Sequence, residues 1–93
     1  MPKVNIKNNR LEQIKRNHVI IKNAARIQMG SMENLASAIG VKPQTLYSSL
    51  KKGSIKAVNM AHIIRVLRLD NETVLALMGN PKRCRFEVGY EPL

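Results

Sequence analysis

The sequence predicts a mostly α-helical, compact five-helix bundle with short β-strands at its ends, and three observations carry that prediction. Apolar residues recur at spacings of three and four through most of residues 9–79, the period of helices buried along one face. Gly30, Gly40, Gly53 and the run Gly79-Asn80-Pro81 cut that pattern into helix-sized pieces. Both ends of the chain alternate instead with a period of two. With 93 residues, 44 % of them apolar, the chain makes one domain able to bury a core. Aromatic residues reach only 3 %, so that core has to be aliphatic.

Residues 1–8 form a basic N-terminal arm or a short strand, with Val4 and Ile6 on one side and Lys3, Asn5 and Lys7 on the other. Asn8 and Asn9 can start a helix over residues 9–29. Leu11, Ile14, His18, Ile21 and Ala25 make its apolar stripe, Ile20, Ala24 and Ile27 broaden it, and Gly30 ends it. Ser31 stands where an N-cap belongs, its hydroxyl facing the free N–H groups of a short helix over 31–39. Met32, Leu35, Ala36 and Ile39 share one face of that helix, and Gly40 closes it. After Val41 and Lys42 comes Pro43, whose fixed φ and missing N–H suit a first helical position. The third helix therefore runs over 43–52, with Leu46 and Leu50 turned inward and Gly53 as its stop.

Residues 57–69 make a fourth helix with Met60, Ile63, Ile64 and Leu67 inward; Val58 and Val66 lie off that stripe and predict burial on more than one side. Asp70 or Asn71 caps a fifth helix carrying Val74, Leu75, Leu77 and Met78. In the tail, residues 80–93, Cys84, Phe86, Val88 and Tyr90 alternate with Arg83, Arg85 and Glu87, which predicts a half-buried strand over 83–90. Paired with the N-terminal strand or with a second copy, that strand would offer Phe86, Val88 and Tyr90 as a homodimer interface.

Sixteen Lys and Arg against six Asp and Glu leave a net charge of +10, and the excess is one-sided. Residues 1–68 hold thirteen basic residues and two acidic ones, Glu12 and Glu33. Between Glu33 and Asp70 there is no carboxylate, yet Lys42, Lys51, Lys52, Lys56, Arg65 and Arg68 fall there. Such segregation creates a field that draws polyanions. Nucleic acid and an anionic membrane surface both answer to it. The basic helix 9–29 has no Trp or Phe for a membrane interface, which weighs against the second. The start of the chain lacks the apolar stretch of a signal peptide, and no apolar run approaches a membrane span. These features predict a soluble, cytoplasmic protein.

Enzyme chemistry is not expected. The single Cys84 excludes an intramolecular disulfide framework and a Cys-based zinc module. His18 lies on an apolar stripe and His62 on the outer side of the fourth helix, and neither has metal-ligand spacing with Cys84 or a carboxylate. There is no paired-carboxylate site and no glycine-rich phosphate loop. No metal, cofactor or small-molecule ligand is predicted.

Helices 31–39 and 43–52, joined by Gly40-Val41-Lys42, are where the sequence points to a function. A turn this short forces a steep crossing, so the first helix props the second and leaves its outer face free. With Leu46 and Leu50 inward, Gln44, Thr45, Ser48, Lys51 and Lys52 point outward, without one carboxylate among them. Gln suits bidentate pairing with adenine in the major groove, and Thr suits a base edge or a thymine methyl. Base contacts are therefore expected from Gln44, Thr45 and Ser48, and phosphate contacts from Lys42, Tyr47, Lys51, Lys52 and Lys56.

The run Leu35-Ala36-Ser37-Ala38-Ile39-Gly40-Val41, followed by Lys42-Pro43-Gln44-Thr45-Leu46-Tyr47, resembles the helix-turn-helix of the Cro/phage-repressor-type DNA-binding family, and Asn71-Glu72-Thr73-Val74-Leu75 resembles its closing helix. The likeness spans roughly residues 18–79. It implies a five-helix bundle, a dimer on inverted-repeat operators and transcriptional repression: a small Cro-like regulator of phage or mobile-element type, reading the major groove of double-stranded DNA. The chain departs from the family pattern where Met32 stands in place of a phosphate-contacting Gln, and where no Glu ends the helix 43–52. Two alternatives stand beside that expectation. One is a protein-interaction module of the same fold, an antitoxin or inhibitor holding an acidic partner; the other is an autoregulator of an adjacent anti-defence gene.

Overall fold

Ile20, Ile21, Ala24 and Ala25 are all fully buried, two adjacent pairs one turn apart. Such a pair of pairs makes an apolar face broader than a single stripe, with alanines that let neighbouring backbones come close. The helix that carries it, α1 (Ile6–Met29), is accordingly the element on which the others assemble. The computed structural model describes residues 6–87. Over them α2 (Met32–Ile39), α3 (Pro43–Lys52), α4 (Ala57–Leu67) and α5 (Asn71–Leu77) all pack against α1, with α2 also on α3 and α4. At 24 residues, α1 is the longest of the five.

The first helix starts earlier than the sequence pattern predicts. Ile6, Lys7 and Asn8, expected in an arm or strand, are its opening turn. No Gly or Pro interrupts the chain between Pro2 and Gly30, and extending a formed helix backwards costs far less than nucleating one. The rest of the expected N-terminal arm, residues 1–5, lies outside the described residues.

The junction between α1 and α2 is closed by side chains. The Ser31 hydroxyl accepts the Asn34 N–H at 3.1 Å, and the Asn34 amide donates to the Met29 carbonyl at 2.7 Å. Ser31 thus satisfies an orphan donor of α2, and the Asn34 side chain an orphan acceptor of α1.

The fourth helix ends at Leu67, two residues short of the predicted 69. Arg68 adopts a left-handed φ of 52°, and the Leu69 N–H turns back to the Ile64 carbonyl at 3.1 Å. Only Ile63 and Leu67 of α4 are fully buried, whereas Val58 is 66 % exposed. The expected burial on more than one side is therefore corrected: α4 buries one stripe, flanked by half-buried Met60, Ile64 and Val66.

Asp70 is the N-cap residue of α5, and the buried Thr73 hydroxyl hydrogen-bonds its carboxylate. That bond is the main reason the Asp70 carboxyl is held below its ordinary pKa. The far end of α5 is capped from α1. The Gln13 amide donates to the carbonyls of Ala76 at 3.0 Å and Leu77 at 3.3 Å.

After α5 the chain folds back along α1. There is no strand among the described residues, and the strand expected over 83–90 is replaced through Glu87 by a turn, in which the Glu87 N–H donates to the Cys84 carbonyl at 3.0 Å. Alternation along a sequence says which residues are buried, but a strand also needs a partner ladder, and α1 offers side chains instead. Arg16 donates to Glu87 at 2.7 Å, to the Lys82 carbonyl at 2.8 Å and to the Asn80 carbonyl. Asn23 donates to the Phe86 carbonyl at 2.7 Å. Phe86, expected at a dimer interface, is 1 % exposed within its own chain, while Val88 and Tyr90 lie outside the described residues. The core is aliphatic as expected except for this one ring, the largest fully buried side chain. No helix among the described residues is long and apolar enough to cross a membrane.

Candidate nucleic-acid interface

The turn between α2 and α3 is built from three backbone choices. Gly40 takes a left-handed φ of 79°, and the Val41 N–H returns to the Ala36 carbonyl at 2.9 Å, which closes α2. Lys42 is extended, at φ −73° and ψ 143°, as a residue before proline prefers to be. Pro43 then sets the first turn of α3. Its boundaries, Pro43–Lys52, are those the sequence predicts.

Two residues fasten α3. Leu46 is 3 % and Leu50 2 % exposed, one turn apart, and both sit in the core shared with α1 and α2. Their geometry fixes what the opposite face shows. Gln44, Thr45, Tyr47, Ser48, Lys51 and Lys52 are all exposed, as are Lys42 before the helix and Lys56 after it. Ser49 is half-buried at the packing boundary. All eight residues expected to contact bases or phosphates are thus brought to one helix and its two flanks.

The chemistry of this face is open-handed. Among the described residues, none of those eight side chains is engaged in a hydrogen bond or ion pair with another part of the chain. Among the described residues, the carboxylates shown in ion pairs are Glu87 and Asp70, near Arg16 and Arg85, not near α3. Lys51 and Lys52 lie in the last turn of α3, where the helix dipole favours cations. The face can donate and accept through one amide and three hydroxyls, those of Thr45, Tyr47 and Ser48, while presenting uncompensated ammoniums at Lys42 before it and at Lys51, Lys52 and Lys56 at its far end. Met32 is 3 % exposed and belongs to the core, so it takes no part in this surface.

The end of α3 lies close against α1. Gly53, with φ 69°, sits so near Ile14 that a Cβ built there would meet its Cγ1 at 2.5 Å. Six residues back, the Tyr47 ring stands edge-on to His18 of α1, with ring centroids 6.4 Å apart. His18 is half-buried, and burial lowers its pKa; the ammoniums of Lys22 and Lys51 lower it further. Sequence periodicity places His18 on an apolar stripe but is silent on what packs there, so this contact was not legible in it. His62 is exposed on α4, as expected. Among the described residues no three His, Cys, Asp or Glu side chains stand together as a metal site would require.

Compared with known proteins, the chain matches no protein-family model, no curated protein and no solved structure.

Proposed function

We propose that this chain is a sequence-specific, double-stranded-DNA-binding transcription regulator, a small repressor of Cro-like helix-turn-helix type. The observation that carries the reading is the outward face of α3: polar, free of acid, without a hydrogen bond or ion pair to any other part of the described chain, and anchored in the core by Leu46 and Leu50. Rigid elements place hydrogen-bonding groups better than loops do, and a helix of this width fits the major groove. Gln44, Thr45 and Ser48 meet base edges, while Lys42, Tyr47, Lys51, Lys52 and Lys56 meet the flanking phosphates. α2 props α3, and the three-residue turn keeps the pair at a fixed crossing.

A homodimer on an inverted repeat is part of the proposal, supported by the resemblance of residues 35–47 to the Cro-type motif. Phe86 is committed to its own core, so the dimer leaves that ring buried. The test is selection of duplexes from a random pool at near-physiological salt, read by sequencing. Enrichment of an inverted repeat with half-sites about 34 Å apart supports the reading. Binding without enrichment of any sequence overturns the base-reading role of α3. It would turn attention to an acidic protein partner.

A further inference from the structure

The α1 side of α3 carries a cluster that base reading does not use. His18 and Lys22 are one turn apart on α1, Tyr47 and Lys51 one turn apart on α3, and the two pairs meet where the Tyr47 ring stands edge-on to the imidazole. Tyr47, Lys22 and Lys51 are exposed and His18 is half-buried. The groups acting on His18 are its burial, Lys22 from its own helix and Lys51 from α3, with Tyr47 in ring contact; no carboxylate is among them. A half-buried imidazole beside two ammoniums, with no acid to balance them, is an unusual arrangement for stability alone, because like charges oppose protonation there. It is a suitable arrangement for an anion. Tyr47 offers a hydroxyl, the lysines offer six N–H donors between them, and His18 offers a proton site whose occupancy depends on the charge beside it.

Resting on the DNA-binding reading above, we propose that His18, Lys22, Tyr47 and Lys51 form a seat for one phosphodiester of the duplex backbone, and that His18 takes up a proton from solvent when the phosphate docks. A phosphodiester brings one negative charge to a site where two ammoniums stand against the imidazolium. It offsets their repulsion and accepts a hydrogen bond from the charged ring. Linkage then works in both directions: if the phosphate favours the proton, the proton favours the phosphate by the same factor. DNA affinity therefore becomes dependent on pH in the range where histidine titrates.

The experiment measures binding of a short mixed-sequence duplex to the full chain by fluorescence anisotropy, at constant ionic strength, at pH 8 and at pH 6. A rise of between half a unit and one unit in the His18 pKa on docking would tighten binding over that interval by at most about three- to tenfold, the full factor being reached only well below the free His18 pKa. His62→Gln keeps the whole effect, whereas His18→Gln binds with the same affinity at both pH values. In the unaltered protein, NMR titration of the His18 imidazole gives a second reading that needs no variant: its midpoint rises in the complex. Duplex binding that is equal at both pH values, a pH dependence that survives His18→Gln, or a His18 midpoint unmoved by DNA overturns the seat and leaves the proposed function standing. Absence of duplex binding at either pH overturns both.

Discussion

Gln44 and Lys52 both stand exposed on α3, but their chemistry assigns them different kinds of work. An amide reads a base edge and an ammonium meets a phosphate that is the same in every sequence. Gln44→Ala should weaken binding to a selected site by about 1–3 kcal/mol, leave binding to random duplex unchanged, and so narrow the gap between them. Lys52→Ala should weaken both duplexes alike and reduce the salt slope by about one. Competition titrations with the two duplexes separate these outcomes; equal losses for Gln44→Ala would remove it from the reading face. A third residue bears on stability. Burial pushes the Glu87 carboxyl upward, but the Arg16 guanidinium and the Cys84 N–H together outweigh it and hold the pKa below its ordinary value. A depressed carboxyl pKa contributes stability that is present above the unfolded value and lost as pH falls through the folded one. Glu87→Gln should therefore cost about 2 kcal/mol at neutral pH and flatten the acid side of the stability profile. Urea midpoints measured down the pH scale test it, and an unchanged acid slope would sink the assignment.

At the scale of the element, the two glycines that end α2 and α3 make a controlled pair. Both are left-handed, Gly40 at φ 79° and Gly53 at φ 69°. A Cβ at Gly40 would meet nothing within 4 Å, so Gly40→Ala should cost only the backbone strain, about 1–2 kcal/mol. At Gly53 the same methyl would strike Ile14, which is β-branched and stiff at χ1, adding about 1–3 kcal/mol of overpacking. Denaturation midpoints should rank Gly53→Ala clearly below Gly40→Ala, and the reverse order would mean that α3 does not end against α1. Sequence punctuation made both turns legible, along with the bounds of α3, because Gly, Pro and Ser act on the backbone within their own turn. It did not reveal the end of α4, where Arg68 takes a left-handed cap that the local sequence does not announce. Nor did it reveal the strandless tail: Arg16, Asn23 and Gln13 reach residues more than sixty positions away, and no local period encodes such partners.

The whole molecule carries its charge unevenly, and salt should act on its folding and its binding in opposite directions. Two acids of the C-terminal part have basic partners, Glu87 with Arg16 and Asp70 3.9 Å from Arg85, and among the described residues no carboxylate pairs with the lysines around α3. A net charge of +10 on 93 residues opposes compaction, so screening should raise the thermal midpoint as salt increases. Binding to DNA releases counterions and must weaken over the same range. The four lysines expected at phosphates, Lys42, Lys51, Lys52 and Lys56, set a minimum: log affinity should fall against log salt with a slope of about −3.6 per chain, and about −7 for a dimer engaging both half-sites. One titration therefore reads the lysine contacts and the stoichiometry together. A slope near zero, with the thermal midpoint still rising, would mean that these lysines serve only as solvated charge and that the polyanion reading of this sequence is wrong.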